Sequence, residues 1–314
     1  MNDEQHNMEL KIDKQNGDVA FNEELHKYFN VRYGDRTYTS VTTLISKYHE
    51  QFDAEFWSSY KALEALIGEV FVESGVKKHL LDKKQFDRAL LDTFDVPEAL
   101  FEQKRFEILM SYQKANKDGC DRGTTYHLER ENMFYNKPKH KLNEYNFGLK
   151  LDGEFACEKH NFDLNQENGI FPEYLIYYST EDAVLNMAGQ IDILIKQGDD
   201  LYLLDYKTNV KGIDMKSYFD RKKKKSVRMF YPLNNYDDCK YVHYTLQLSI
   251  YAWMLQRINP KWNIKLLRII HIDGDDKETF YDLDYLKDDV DKLMKHYKKQ
   301  TRVDTFRSTG KIIG

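Results

Sequence analysis

The segment around Asp205 combines a strand-like apolar run with two charged side chains at its end. Residues 201–208 read Leu-Tyr-Leu-Leu-Asp-Tyr-Lys-Thr, so Asp205 and Lys207 are two residues apart. Because side chains alternate across a strand, we expect both to project from the same face. A second strand-like run, 189–195, carries Asp192. Two carboxylates and one lysine at the edge of a sheet suit a hard divalent cation and a phosphate beside it.

Each of these residues also has an ordinary structural interpretation. A single Asp at the end of a strand commonly caps a turn, and Lys207 could form a plain surface ion pair with Asp205. However, residues 197–200 read Gln-Gly-Asp-Asp, which predicts a hairpin turn that joins the two strands. The pairing of Asp192 with Asp205 across this hairpin favours catalysis over capping.

Further candidate groups lie outside these two strands. His127 and Glu131 are four residues apart and share one face of a predicted helix, where a neutral imidazole can bind Mn²⁺ or simply have a structural role. Glu173 precedes a predicted strand and could join a metal shell or remain a surface residue. Gln247 and Tyr251 are one helical turn apart and could hold the lysine, a phosphate or a base. A core-facing tyrosine beside a solvated glutamine is the alternative.

A lysine-rich segment directly follows the Asp205 strand. It holds eight basic residues against two acids, and aromatic residues are interleaved with them. Cations that meet phosphates and rings that stack on bases are typical of single-stranded nucleic-acid binding, whereas a solvated loop is the alternative. The basic residues are Lys211, Lys216, Arg221, Lys222, Lys223, Lys224, Lys225 and Arg228. We expect all of them except Lys216 to be nucleic-acid-binding residues.

Composition excludes several classes of protein. At 314 residues with 41% hydrophobic residues, the chain can build a large core, and a net charge of −5 argues against a histone-like binder. The three isolated cysteines predict neither a zinc ribbon nor a disulfide framework. No apolar run approaches the roughly 18 residues of a membrane span, and the first eighteen residues show no signal-peptide pattern. We therefore expect a cytoplasmic protein without a membrane partner.

The pattern along the chain predicts three parts: a flexible tail at 1–18, a hairpin and mainly helical annex at 19–118, and a core at 119–314 that ends in a helix. Within the annex, Ser40 is expected to cap a helix, and breaks are expected near Gly68, Gly75 and Pro97. The other predicted elements are a hairpin at 19–39 punctuated by Tyr33-Gly34-Asp35, a helix that starts after 121–123, strands at 174–178, 189–195, 201–206 and 266–272, and helices at 241–258 and 285–299. This order predicts an α/β fold with a central mixed sheet flanked by helices.

Four short motifs occur in a fixed order along the chain. They are Gly-Thr-Thr-Tyr-His (123–127), Gly-Gln-Ile-Asp (189–192), Asp-Tyr-Lys-Thr (205–208) and Gln-Leu-Ser-Ile-Tyr (247–251). In this order they resemble the PD-(D/E)XK nuclease superfamily, and most of all its RecB-like exonuclease branch, which includes many phage-encoded members. Residues 38–42 are similar to a segment often found upstream, whereas 50–115 match nothing in the family. Asp205 replaces the more general Glu, although Asp is usual in this branch, and the iron–sulfur cysteines of some relatives are absent.

The resemblance implies a restriction-endonuclease-like core and a role for each matched residue. It implies metal ligands at His127, Asp192 and Asp205, a catalytic lysine at Lys207, and supporting residues at Gln247 and Tyr251. The expected cofactor is Mg²⁺ or Mn²⁺, as one or two ions. The expected activity is hydrolysis of DNA phosphodiester bonds, by an exonuclease of recombination, repair or replication.

Two other functions are compatible with the same residues. One is an RNA-cleaving endonuclease of the same superfamily, and the other is a catalytically silent nucleic-acid-binding protein on a nuclease scaffold. The expected partners are DNA, single-stranded or with free ends, and proteins of replication or recombination. The expected compartment is the cytoplasm, which would be the host cytoplasm for a phage-encoded protein.

Overall fold

The protein has an α/β fold in which helices flank a large mixed sheet. The structure, a computed structural model, describes residues 11–33, 36–220 and 225–309. Within these ranges the main sheet has 11 strands, and a separate two-stranded ladder lies in the lysine-rich segment. The predicted fold class is therefore confirmed.

The strands and helices follow one another in a mixed order along the chain. The strands are β1 (Lys14–Asn16), β2 (Val19–Asn22), β3 (Lys27–Asn30), β4 (Thr37–Ser40), β5 (Lys139–His140), β6 (Phe155–Ala156), β7 (Asn168–Ser179), β8 (Asn186–Gln197), β9 (Asp200–Lys207), β10 (Phe219–Asp220), β11 (Lys225–Ser226), β12 (Asn263–Ile272) and β13 (Glu278–Leu283). The helices are α1 (Val41–Ser46), α2 (Ala54–Ile67), α3 (Val70–Glu73), α4 (Val76–Lys83), α5 (Ala89–Thr93), α6 (Glu98–Phe134), α7 (Lys240–Ile258) and α8 (Lys287–Thr309).

The centre of the main sheet is formed by β7, β8 and β9. Strand β7 pairs antiparallel with the whole of β8, and β8 pairs antiparallel with β9 through a two-residue turn at Gly198, whose φ is +58°. Strand β12 lies parallel to β9 and carries β13 on its other edge. Two strands share the second edge of β8, since β4 pairs with 187–188 and β9 with 193–197. Among the described residues, no strand pairs with 189–192 on that edge.

The sheet buries an apolar core on each face. On one face, α1, α7 and α8 cover a cluster that includes Leu203 and Leu248. On the other face, the end of α6 packs over a smaller cluster that includes Phe134, Ile193 and Leu204. Leu203 and Leu204 belong to opposite clusters because successive side chains of a strand point to opposite faces. Asp205 and Lys207 are thereby assigned to the α7 face.

A second compact unit, Gln51–Thr125, is helical and has its own core around Leu80, Phe71 and Phe101. It contains α2 to α5 and the first part of α6, while the residues of α6 from Tyr126 onward belong to the sheet unit. The predicted breaks are found, since α2 ends at Gly68, α4 starts at Gly75 and α6 starts just after Pro97.

The predicted start of a helix after residues 121–123 is wrong. Helix α6 runs without interruption from Glu98 to Phe134, through both Gly119 and Gly123. A glycine in a helix interior costs only about 1 kcal/mol relative to alanine, and no proline lies within this span. The residues next to the glycines include weak helix formers (Asp118, Cys120, Asp121, Thr124 and Thr125), so the helix continues here against local propensity.

The N-terminal boundaries also differ from the predicted ones. Residues 14–16, expected in a flexible tail, form β1 and pair with β2. The predicted hairpin at 19–39 is observed as three short strands that join the main sheet through β4, although Gly34 and Asp35 lie outside the described residues. Ser40 caps α1 as predicted, because its side chain accepts a hydrogen bond from the backbone N–H of Thr43. The sheet unit therefore includes the chain before residue 51.

A search of the described helices for a membrane span finds none that has both the length and the apolar character required.

The core beneath α6 provides a test of the fold. Phe134 is fully buried, so replacing it with alanine should lower the free energy of unfolding by about 3–5 kcal/mol through lost burial and the cavity left behind. Phe306 of α8 is half exposed, and Phe306→Ala should change the same quantity by no more than about 0.5 kcal/mol. Urea denaturation followed by circular dichroism compares the two variants, and equal effects would contradict the packing described for Phe134.

Candidate metal centre

Three carboxylates lie in one row across the centre of the sheet. The register of β7 with β8 places Glu173 opposite Asp192, between the pairs Pro172–Ile193 and Tyr174–Ile191. Asp192 and Asp205 are the residues that directly follow the last β8–β9 pair, Ile193–Leu204, so the register of these strands places them side by side. Asp205 is completely buried and Asp192 is nearly so. Neighbouring strands thus bring together three acids that are distant in sequence.

The β8–β9 ladder ends where this row begins. Beyond the pair Ile193–Leu204 both strands continue, but they no longer pair with each other. The carboxylate of Asp192 replaces the missing ladder partner, since its Oδ2 accepts a hydrogen bond of 2.6 Å from the backbone N–H of Tyr206. The Asp192 side chain thereby satisfies a backbone donor that the ladder leaves unpaired.

Glu173 has an unusual backbone conformation for a residue within a strand. Its φ is +49°, in the left-handed region that residues other than glycine rarely adopt, and it is skipped by the β7–β8 ladder. Such a conformation costs on the order of 1–3 kcal/mol and persists only where the surroundings impose it. The strain coincides with the position at which Glu173 meets Asp192.

His127 reaches the row of acids from α6. Its Nδ1 lies 3.1 Å from Oε1 of Glu173 and 3.5 Å from Oδ2 of Asp192. One potential ligand atom from each of these three residues lies within 4.8 Å of the others. One imidazole and two carboxylates form a donor set that suits Mn²⁺, and the carboxylates alone suit Mg²⁺. The residues present therefore fit a divalent cation of this class, although Asp205 is not part of this cluster.

The charges of the cluster change the proton affinity of its members. The Asp192 carboxylate, followed by Glu173, raises the pKa of His127 to about 9, although burial opposes the change. Burial raises the pKa of Asp192, and the nearby His127 limits the rise. Without a cation, the imidazolium of His127 neutralises part of the negative charge. A bound cation would have to displace that proton.

Asp205 and Lys207 form a buried ion pair next to the cluster. The Lys207 ammonium contacts Oδ2 of Asp205, and that oxygen accepts no hydrogen bond of normal geometry from the described residues. Burial and then the Asp192 carboxylate raise the pKa of Asp205 to about 6. Burial opposes a charge on Lys207, but Asp205 and Asp192 together raise its pKa above the ordinary value. Lys207 is thus held as an ammonium whose side chain is 19% exposed.

Helix α7 supplies the two supporting residues that the motif predicted. The Gln247 amide donates to Oδ1 of Asp205 at 3.3 Å and to the Tyr251 hydroxyl at 3.4 Å. Gly189 explains why this arrangement fits the sheet, because a Cβ atom there would lie 2.5 Å from a ring carbon of Tyr251. The glycine of the Gly-Gln-Ile-Asp motif therefore makes room for the tyrosine that supports Gln247.

Two residues near the site, Lys14 and Tyr244, are not among those predicted from the sequence. Lys14 of β1 lies 3.2 Å from the Glu131 carboxylate and 3.8 Å from that of Glu173. The ring of Tyr244 lies 5.0 Å from the Lys207 ammonium, three residues before Gln247 on the same helix. The i, i+3 spacing could have indicated Tyr244. A lone lysine in a polar N-terminal segment carries no such signal.

The lysine-rich segment is described only in part. Lys211 is exposed, whereas Arg228 is paired with Asp237 at 2.9 Å and with the carbonyl of Asn235. The ladder of β10 with β11 brackets its most basic stretch. Four of the predicted nucleic-acid-binding residues lie outside the described residues, and of Lys225 only the backbone is described. These four are Arg221, Lys222, Lys223 and Lys224.

Comparisons with known proteins find no match for this chain. No family model and no curated protein matches its sequence, and no solved structure matches its fold. The assignment of chemistry therefore depends on the side chains of the site itself.

The raised pKa of His127 predicts how cation binding varies with pH. His127 holds a proton up to about pH 9, and a bound cation must displace that proton. The affinity for Mn²⁺ should therefore rise about tenfold per pH unit between about pH 7 and 8.5 and then level off. His127→Ala should weaken binding and flatten this slope. Isothermal titration calorimetry in two buffers of different ionisation enthalpy measures affinity and proton release together.

The exposed His79 of α4 offers a matched control. His79→Ala should leave both the Mn²⁺ affinity and its pH slope unchanged. If His127→Ala retains the affinity and the slope of the unmodified protein, His127 is not a ligand.

Proposed function

We propose that this chain is a Mg²⁺- or Mn²⁺-dependent nuclease of the PD-(D/E)XK type that hydrolyses DNA phosphodiester bonds. The observation that carries the proposal is the convergence of His127, Glu173 and Asp192 beside the buried Asp205–Lys207 pair. A cation site next to a fixed ammonium suits a phosphodiester, because a phosphate presents negative oxygens to both. The four motifs that resemble the superfamily contribute His127, Asp192, Asp205, Lys207, Gln247 and Tyr251, and those residues lie within this one region.

The ligand set defines what the protein contributes when a cation is bound. His127, Glu173 and Asp192 would hold the ion, which supplies Lewis acidity and lowers the pKa of a coordinated water. Asp192 is oriented by the Tyr206 backbone N–H at 2.6 Å, so its position does not depend on the cation. The strained backbone of Glu173 is consistent with a site that is organised before its ligand arrives.

Lys207 has a different role from that of the ligands. The neighbouring carboxylates raise its pKa, which favours an ammonium that neutralises charge on the attacked phosphate over a base that accepts a proton. Asp205 positions this ammonium and is itself positioned by the amide of Gln247. The Lys207 ammonium also contacts the ring of Tyr244, and this contact limits the movement of the ammonium.

The lysine-rich segment that follows β9 supports nucleic acid as the substrate. It leads directly from Lys207, and exposed aromatic residues lie along it, with Tyr218, Phe230 and Tyr231 at least half exposed. Rings of this kind can stack on unpaired bases while the lysines meet the backbone phosphates. We propose that the substrate is DNA that is single-stranded or has free ends, and that the protein is therefore an exonuclease. It would act in the cytoplasm with proteins of recombination, repair or replication.

Removing either member of the buried ion pair should abolish cleavage. Asp205→Asn and Lys207→Ala are each expected to lower the rate of metal-dependent DNA cleavage by at least about a hundredfold, because Lys207→Ala removes the ammonium at the reacting phosphate and Asp205→Asn removes the carboxylate that positions it. The assay uses end-labelled DNA, single- or double-stranded and linear or circular, alongside matched RNA, with Mg²⁺ or Mn²⁺ and with a chelator. Digestion of linear but not circular DNA identifies an exonuclease, and preference for RNA would refute the DNA assignment.

An ion pair at the opposite end of β9 provides the control. Lys265 of β12 and Asp200 of β9 lie 3.4 Å apart there, so Lys265→Ala and Asp200→Asn remove the same kinds of charge away from the site. Both should retain full activity. Full activity in Asp205→Asn and Lys207→Ala would refute the proposed mechanism.

The lysine-rich segment should determine how DNA binding depends on salt. Replacing Lys222 to Lys225 with alanine is expected to reduce the slope of log affinity against log salt by up to about 3 for single-stranded DNA, at about 0.7 per lost phosphate contact. Fluorescence anisotropy at several salt concentrations measures the slope. The control replaces four exposed lysines of α8, namely Lys287, Lys292, Lys295 and Lys299, which changes the net charge equally. Equal slopes in both variants would identify the segment as a solvated loop.

A further inference from the structure

A second group of metal-ligand side chains lies apart from the residues of the candidate metal centre. It consists of His49 in the turn after α1, Asp238 just before α7, and His243 in the first turn of α7. One potential ligand atom from each lies within 4.8 Å of the other two. The proposed nuclease chemistry uses none of these residues.

The distances within this group are compatible with a shared ion. Oδ1 of Asp238 lies 2.9 Å from Nε2 of His243 and 3.9 Å from Nδ1 of His49. Ligands bound at about 2.0–2.1 Å to a tetrahedral zinc ion are roughly 3.3 Å from one another. These two separations lie on either side of this value. An imidazole binds a metal through a lone pair in its ring plane, so one of the two histidine rings must rotate out of their stack for both to reach a common ion. The two imidazole rings stack with centroids 4.1 Å apart and planes inclined by 24°.

The composition of this group differs from that of the candidate metal centre. Two imidazoles and one carboxylate favour Zn²⁺ and similar transition metals, whereas one imidazole and two carboxylates favour Mn²⁺ or, through oxygen, Mg²⁺. All three side chains are between 13% and 22% exposed, so an ion there would keep access to solvent for a fourth ligand.

We propose that His49, Asp238 and His243 form a second metal site, selective for Zn²⁺-class ions and separate from the proposed nuclease centre. Asp238 and His243 are hydrogen-bonded to each other, and Nδ1 of His49 lies 3.1 Å from the carbonyl oxygen of Glu50. An ion would take the place of the protons in these hydrogen bonds, as binding to neutral imidazole requires.

The location of the site gives it a structural role. The lysine-rich segment returns toward α7 past Arg228, and the backbone N–H of Phe230 donates to the carbonyl of Tyr48 at 2.7 Å, one residue before His49. An ion shared by His49 and Asp238 would add a second connection between the same two parts of the chain. Its third ligand, His243, would extend that connection to the helix that carries Gln247.

Cobalt absorption provides a direct test, because Co²⁺ replaces Zn²⁺ in tetrahedral sites and is coloured there. To weaken binding at the candidate metal centre, His127→Ala protein stripped of metal is titrated with Co²⁺, and the tightest-bound ion, one per chain, should give visible absorption that Zn²⁺ displaces. Adding His243→Ala, or separately His49→Ala, to this background should weaken Co²⁺ binding at least about tenfold. The exposed His79→Ala, added to the same background, should change nothing.

Circular dichroism checks that each variant is folded. Asp238→Asn serves as a second test, because it removes the charge of the ligand but keeps a hydrogen-bond acceptor for His243. Weakened binding in Asp238→Asn supports the site. Absence of a 1:1 Co²⁺ complex in His127→Ala, or unchanged affinity after His243→Ala, overturns it. The readout is metal binding rather than cleavage, so this proposal and the proposed nuclease activity fail or succeed independently.

Discussion

The separation of β8 from β9 beyond the pair Ile193–Leu204 is the constraint on which the site depends. A continued ladder would satisfy the backbone of both strands and leave no room between them. Instead, the Asp192 carboxylate accepts the hydrogen bond of the Tyr206 N–H, and one side chain thereby closes the ladder and remains within reach of His127. The occupation of the same β8 edge by β4 at residues 187–188 confines the opening to a few residues. The sheet therefore creates a short gap lined by acids.

Burial of so much charge in this gap is unfavourable unless the charges are compensated. Burial raises the pKa of Asp205 to about 6, which is the energetic signature of a carboxylate taken out of water. Lys207 offsets part of this cost from β9 itself, and His127 does the same for Asp192 from α6. Lys14 adds a third cation beside Glu173. Three positive groups thus compensate the negative charge of the buried carboxylates.

The sequence predicted those parts of the site that follow from local periodicity. Alternation along β9 places Asp205 and Lys207 on one face, and helical spacing places Gln247 and Tyr251 on one side of α7. It could not predict the left-handed backbone of Glu173, because nothing in the local sequence marks a residue after Pro172 within a strand for a positive φ. The contact of Lys14 depends on the pairing of β1, which no short-range pattern encodes. The uninterrupted α6 shows the same limit, since Gly119, Gly123 and the weak helix formers beside them predict a break that the structure does not have.

Helix α7 carries His243 at its start and, further along, the residues that contact the buried Asp205–Lys207 pair. His243 lies in its first turn, and Tyr244, Gln247 and Tyr251 follow at spacings of three and four residues, which places them on one face. That face contacts Lys207, Asp205 and Gly189 in succession. Because the Gly189 contact leaves no space for even one additional carbon, the helix cannot shift toward the sheet without displacing Tyr251. The position of α7 against the sheet is therefore fixed by the same residues that hold the Asp205–Lys207 pair.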